Sequence, residues 1–254
     1  MSAVSLYAKA SGDFAGKLAE ARALIEHAAK TFSPLTQASS LGAEDVVITH
    51  LLADTGVDCS VFVLDTGKLH AQTLALIGRI EARYDRKIEV FQPVARAADT
   101  FVSAHGDQAM YASVALRKQC CGIRKMEPLA RALAGKKGWL TGLRREQSNA
   151  RAEVAFIEPE FAGQASERAK VNPLARWTAG DVWHFIGLHD IPYNPLHDEF
   201  FPSIGCAPCT RAVTLGEDIR SGRWWWEQES AKECGLHVSD NAVSSIIPIK
   251  EVTA

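Results

Sequence analysis

Residues 39–67 read SSLGAEDVVITHLLADTGVDCSVFVLDTG, and the alternation within this stretch decides the fold. Its middle, EDVVITHLLADTG, carries apolar positions at helical spacing until Gly56 stops it, which predicts an amphipathic helix. A β-branched and aromatic run, SVFVLDTG, follows and ends in polar residues and glycine, the pattern of a buried strand. The alternation extends outward in both directions. Residues 13–32 place Phe14, Leu18, Ala21, Leu24, Ile25 and Ala28 on one face of another amphipathic helix, while IEVFQP at 88–93 and GWLTGLR at 138–144 repeat the strand signature. Strands alternating with helices predict an α/β fold, a doubly wound, mainly parallel sheet. Ligands bind such sheets at the carboxyl ends of the strands, which puts Asp65, Thr66, Gly67, Gly142 and Arg144 on the binding edge. Further on, TAGDVWHFIGLHD holds Thr178 and Asp181 at capping-box spacing ahead of an apolar face of Val182, Phe185 and Ile186, with Trp183 read as core packing.

Composition narrows the class. The chain has 254 residues, 47% hydrophobic and 23% charged, with a net charge of −2, enough to bury a sizeable core and too balanced for a broad nucleic-acid or membrane surface. No internal repeat or linker divides the chain before about residue 200, so we expect a nucleotide-binding α/β domain over residues 1–215 and a mobile C-terminal segment over 216–254. The N-terminus has no charged segment followed by an apolar one, and no run approaches bilayer length; a cytoplasmic location is expected. The segment SSLGAED opens a helix, so backbone N–H groups near Leu41 and Gly42, helped by Ser39 and Ser40, could face an anion. It lacks the phosphate-loop lysine pattern, and Glu44 and Asp45 would repel a triphosphate without magnesium.

Six cysteines in a chain of this kind point to metal or redox chemistry rather than a disulfide framework. Cys59, at the head of an apolar run, reads as inert core. Cys120 and Cys121 are adjacent in KQCCGIRK, and Cys206 and Cys209 form C-x-x-C in SIGCAPCTR. Two such pairs can close a tetrahedral zinc site or hold an iron–sulfur cluster. Adjacent thiolates must bend sharply to reach one ion but diverge naturally to separate irons, so the spacing favours a cluster; zinc and a strained vicinal disulfide stay as alternatives. Cys234, in ECGLH, has Lys232 and His237 nearby to favour its thiolate. Basic residues gather around these motifs: Arg117, Lys118, Arg124 and Lys125, then Arg144, Arg145 and Arg151, then Arg220 and Arg223. Their guanidinium and ammonium groups suit phosphate or sulfate oxygens. Tryptophans 224–226 read as packing at a domain edge.

Taken in order, SSLGAED, LDTG, KQCCGIRK, TGLRREQS, YNPLH, SIGCAPCTRAV, GRWWWE and ECGLH resemble the assimilatory adenylyl-sulfate (APS) reductase family. The resemblance implies a fold similar to the PP-loop adenine nucleotide hydrolases, a [4Fe-4S] cluster on Cys120, Cys121, Cys206 and Cys209, and two-electron reduction of APS to sulfite and AMP. It further implies that Cys234 attacks the sulfate sulfur to leave an S-sulfocysteine, which an external thioredoxin reduces. Lys125 would lie between cluster and sulfate, and Arg144, Arg151, Arg220 and Arg223 would bind the phosphosulfate. Ser40, Leu41, Gly42 and Gly142 would form the adenosine and phosphate pocket, and His237 would close beside the thiol. A homo-oligomer is expected. The nearest alternative is a reductase for 3′-phosphoadenylyl sulfate (PAPS), which shares ECGLH and typically lacks both cysteine pairs. A tRNA-thiolating PP-loop protein would carry paired glycines where this chain has SSLGAED. A non-catalytic zinc module would leave Cys234 and the arginines without a task.

Overall fold

The computed structural model describes residues 1–148, 151–165, 167–214 and 216–227. Six strands, β1 (Leu35–Ser39), β2 (Ser60–Leu64), β3 (Ile88–Phe91), β4 (Gly138–Leu140), β5 (Ile157–Glu160) and β6 (Arg168–Val171), form one sheet in the order β3-β2-β1-β4-β6-β5. β1 pairs in parallel with β2 and β4, β2 with β3, and β4 with β6; only β5, at the edge, runs antiparallel. The helices among the described residues are α1 (Ala3–Tyr7), α2 (Phe14–Thr31), α3 (Ala43–Thr55), α4 (Ala71–Tyr84), α5 (Ala95–His105), α6 (Val114–Cys121), α7 (Glu127–Ala132) and α8 (Ala179–Leu188). The doubly wound α/β sheet expected from the sequence is the one found.

The central strands are buried on both faces, as parallel strands covered by helices must be. On one face Ile25, Val47, Leu51, Val63, Val171 and Phe185 join α2, α3 and α8 to the sheet; on the other, Phe62, Leu129, Leu133 and Trp139 pack α7 against it. One expectation changes here. α3 is not amphipathic: Ala43, Asp45 through Thr49, Leu51 and Leu52 are all buried, because α2, α4 and α8 close over the sides the sheet leaves open. Its end is as read, with Gly56 in the left-handed region at φ 65°. α8 begins with the capping box expected of it: Asp181 N donates to Thr178 Oγ1 at 3.0 Å and Thr178 N to Asp181 Oδ2 at 2.9 Å.

Strand order reverses at β1, whose neighbours β2 and β4 lead to opposite ends of the sheet. The crevice beyond the carboxyl ends of β1 and β4 is therefore where this topology places a ligand. Residues 216–227 lie back on the α/β body: Trp224 N donates to the Cys209 carbonyl at 3.2 Å and Arg211 N to that of Gly222 at 3.0 Å. Among the described residues no helix is long and apolar enough to cross a membrane.

Candidate active site

The loop after β1 turns back on itself at Leu41, which sits at φ 61° with its side chain buried. Across the crevice, the loop after β4 comes so near the start of α3 that a Cβ on Gly142 would lie 2.6 Å from Asp45 Oδ1 and 2.7 Å from Glu44 Cβ. Glycine is thus required there by close approach, not by backbone conformation. Asp45 ties the two loops, accepting from Ser40 N at 2.7 Å and Ser40 Oγ at 2.6 Å. Burial pushes its carboxyl up to about 6, against the hydrogen bonds from Ser40 and the Gly142 backbone. Ser40 and Gly42 line the cavity as the sequence suggested, while Leu41 lies beneath it. The N–H groups expected to meet an anion have local partners: Leu41 N donates to Ser39 Oγ at 3.2 Å and Gly42 N to Ser40 Oγ at 3.4 Å.

Arg144 stands on the same edge, 3% exposed and held by carboxylates. Its Nε donates to Glu44 Oε1 and its Nη1 to Glu146 Oε2, each at 2.9 Å. Gln147 completes the group, donating to Glu44 Oε1 at 3.0 Å and accepting from Arg151 Nη1 at 2.6 Å. Burial raises the Glu44 carboxyl, but the Arg144 charge and hydrogen bond, with the Gln147 amide, outweigh it and leave Glu44 below its ordinary range. In this arrangement Arg144 neutralises Glu44 and shapes the wall, and Arg151 shares the wall with it.

The four predicted ligand cysteines converge from two elements. α6, capped by the Ser113 side chain, ends at Cys121 and passes into a wider π-helical turn, Gly122–Met126, an irregularity that re-aims side chains and is frequent at functional sites. Cys206 and Cys209 bracket a 3-10 turn anchored to the loop after β2 by a bridge between Leu69 and Cys206 and by Ala207 N donating to the Lys68 carbonyl at 2.7 Å. Thr66 Oγ1 lies 3.2 Å from Cys206 Sγ, and Arg124 donates to the Thr66 carbonyl at 2.9 Å while flanking Cys120. Burial, then the charges of Cys206, Cys121 and Cys120, push the Cys209 thiol up to about 12; the four sulfurs feel one another. Among the described residues these cysteines are free thiols, not a vicinal disulfide, and no three His, Cys, Asp or Glu groups close on one ion. Four neighbouring thiols are a donor set that an iron–sulfur cluster or a zinc ion could take.

One cavity of about 380 Å³ joins the two regions. Ser40 and Gly142 line it at the sheet edge, Cys121, Cys206 and Cys209 at the other end, and Lys125, Arg220 and Arg223 also stand on its walls. Arg223 packs over Gly205, where any Cβ would collide with its guanidinium, and lies 4.7 Å from the centre of the Trp224 ring. Arg117 lies at the same 4.7 Å from that ring and forms a buried two-pronged pair with Glu227 at 2.9 and 2.7 Å. Trp224 is 3% exposed, the packing role read for it, whereas Trp225 is 40% exposed. Cys234 and His237 lie outside the described residues. Sequence reasoning did not single out the Glu44–Arg144–Gln147 group, the Arg117–Glu227 pair or His197; charge spacing alone does not tell a buried pair from a solvated one.

The profile of the phosphoadenosine phosphosulfate reductase domain family matches residues 34–212. The adenosine 5′-phosphosulfate reductase of Burkholderia cepacia is 49% identical over 227 residues, 89% of this chain and 90% of that protein. That of Neisseria meningitidis serogroup A is 53% identical over 201 residues, 79% of this chain and 81% of that one. Among solved structures, the phosphoadenylyl-sulfate (PAPS) reductase from Candida auris, a phosphate complex, superposes with a TM-score of 0.64 at 25% identity, covering 81% of this chain and 98% of that one. Candida glabrata FMN adenylyltransferase, at 14% identity and a TM-score of 0.54 over 94% of this chain and 85% of that one, shares the fold.

Proposed function

The chain belongs to the phosphoadenosine phosphosulfate reductase domain family, and on that premise we propose that it reduces APS by two electrons to sulfite and AMP. The observation that carries this reading is the single cavity running from a nucleotide crevice at the sheet's switch point to a group of four thiols, with cations along its walls. The relatives that share about half of its residues over most of its length bear the name of that activity.

In this proposal the Cys234 thiolate attacks the sulfate sulfur of APS; the sulfur–oxygen bond to the phosphate breaks and AMP leaves with the electron pair, which makes S-sulfocysteine. A thioredoxin thiolate then attacks the Cys234 sulfur, expels sulfite and forms a mixed disulfide. The second thioredoxin thiol resolves it, so thioredoxin supplies both electrons and Cys234 is regenerated. Lys125, Arg220, Arg223 and Arg151 hold the phosphosulfate oxygens as charge moves onto the leaving phosphate, and His237, of the same ECGLH motif, would assist the thiol. Ser40, Gly42 and Gly142 shape the adenosine and phosphate end, over a turn that Leu41 supports. Cys120, Cys121, Cys206 and Cys209 would hold a [4Fe-4S] cluster, which supplies fixed charge next to Lys125 rather than electrons. A cytoplasmic location suits an enzyme that works through reduced thiols.

APS is favoured over PAPS because the relatives that match most of the chain bear the APS reductase name and both cysteine pairs are present. Turnover of APS should exceed that of PAPS by roughly tenfold or more; equal turnover would remove this assignment. For the chemistry, anaerobically purified protein should hold about four irons per chain. Sulfur-labelled APS should leave label on the wild type and none on Cys234→Ser, and thioredoxin should release it as sulfite. Label on the serine variant, or none on either, refutes the covalent route.

A further inference from the structure

The motif YNPLH ends at His197, which the reaction above does not use. His197 lies in the 3-10 turn Pro195–Glu199 and is 4% exposed, yet neither ring nitrogen has a hydrogen-bond partner among the described residues. The Phe201 backbone is close enough to favour the charged ring. Its polar neighbours in the turn are satisfied. Asn194 donates to Thr73 Oγ1 at 2.8 Å and accepts from Leu196 N at 3.1 Å. Asp198 accepts from Ala3 N at 2.6 Å and from the Tyr193 hydroxyl at 2.9 Å. Trp183 meets the imidazole edge-on, 5.0 Å between ring centres. Within the turn, the unmade polar groups belong to the His197 ring, a residue of the cavity wall shared with Glu44 and Thr73. Buried polar groups left unmade are costly and rare, and one that faces a cavity is poised for a ligand.

We infer that His197 is a substrate-binding residue whose ring hydrogen-bonds a hydroxyl of the nucleotide's ribose, beside the Glu44 carboxylate. Burial keeps the imidazole neutral, below its ordinary range, although Glu44 and Asp198 pull the other way. A neutral imidazole offers one N–H and one lone pair, and Glu44 offers acceptors only. Two vicinal hydroxyls, each both donor and acceptor, match that set. An anion does not, because a neutral imidazole can give it only a single N–H, while Lys125, Arg220 and Arg223 stand elsewhere on the wall. The inference rests on the APS reading and deepens it by naming how the nucleoside is held.

The test is calorimetric binding of AMP, 2′-deoxy-AMP and 3′-deoxy-AMP to the cluster-loaded wild type, His197→Gln and His197→Phe. The wild type should lose about tenfold in affinity when one of the two hydroxyls is removed, and His197→Phe about tenfold for AMP with no further loss on that deoxy analogue. His197→Gln, which restores a donor, should recover part of it. With APS, His197→Phe should raise KM and leave kcat near the wild-type value. A His197→Phe penalty equal for all three nucleotides, or absent, overturns the inference. Should the variants fail to fold, wild-type crystals with AMP decide: a ring nitrogen within about 3.2 Å of a ribose oxygen supports it, and a ring in contact with no ribose oxygen overturns it. A wild type that binds AMP and turns over APS while His197 proves irrelevant leaves the activity standing; one that binds no AMP removes both.

Discussion

At Gly142 a single methyl group separates an open crevice from a blocked one. The added carbon of Gly142→Ala would fall 2.6 Å from Asp45 Oδ1, inside any real contact distance, so the loop after β4 must retreat from α3. The expected cost is about 1–3 kcal/mol of stability and roughly tenfold to a hundredfold in kcat/KM for APS, since the crevice geometry shifts. An alanine variant with unchanged Tm and turnover would show that the approach is not needed. Asp45 adds a pH signature. Burial raises its folded pKa to about 6 from the ordinary 3.8, so the folded chain holds this proton more tightly than the unfolded one. The stabilising contribution is complete below about pH 4 and is lost as pH rises through 6. Asp45→Asn lacks that loss, and its stability relative to the wild type should improve by roughly 2–4 kcal/mol from pH 4 to pH 7. Denaturant melts of both proteins at the two pH values measure it; a constant difference sinks the account.

Between elements, the pair Arg117–Glu227 fastens α6, which carries two of the four ligand cysteines, to the segment that carries Arg220 and Arg223. Both side chains are almost fully buried, at 1% and 2% exposure. Arg117→Met strands a buried carboxylate and should cost about 3–5 kcal/mol, whereas Arg117→Met with Glu227→Leu should recover most of it. Tm values for the single and double variants decide; equal losses would mean that packing, not charge, holds the junction. Such a pair was not legible in the chain, because Arg117 and Glu227 are 110 residues apart; Arg117 sits in a run of charge that reads as solvated surface, and Glu227 follows three tryptophans read as edge packing. The buried apolar strands β2 and β4 and the helices α2 and α8 were legible from periodicity and capping alone; β3 was legible as a strand but lies at the sheet edge, with Val90 exposed, rather than buried. β5 and β6 were not. Their residues, IEPE and RAKV, alternate charge, and only across the sheet do Glu158 and Lys170, at 3.1 Å, and Glu160 and Arg168, at 2.6 Å, become ion pairs. α3 misled for the opposite reason: its apolar stripe was real, but burial by three helices leaves no polar face for periodicity to report.

Across the whole molecule, the two halves of the cavity have different structural parents, and this separates their fates. The crevice is built by the ends of β1 and β4, strands in the middle of the core, with Asp45 and Arg144 tying their loops together. The thiol end is built by α6, its π-helical continuation and the turn Ala207–Cys209, fastened to the sheet through the Thr66 loop and the Arg117–Glu227 pair. Motif order pointed to both ends, since SSLGAED and KQCCGIRK are local; that one cavity joins them is a property of the sheet order, which places Cys206 against Leu69 beside the loop after β2. Loss of the thiol end should therefore spare the nucleotide end. In Cys206→Ser, where one ligand of the proposed cluster is gone, AMP should bind within about threefold of wild type and still raise Tm, because a saturating ligand of the folded state adds roughly 2.7 kcal/mol at a hundred times its Kd. APS turnover should fall by roughly a hundredfold or more, since the proposed mechanism holds and attacks the sulfate at the damaged end. Iron analysis, AMP calorimetry and sulfite release on that variant measure the three quantities together. Retained AMP binding with lost turnover fits a crevice and a thiol site that fold separately and work jointly. AMP affinity that collapses along with the iron would mean that the thiol turn is part of the nucleotide crevice, and that the division of labour drawn from the sheet order is wrong.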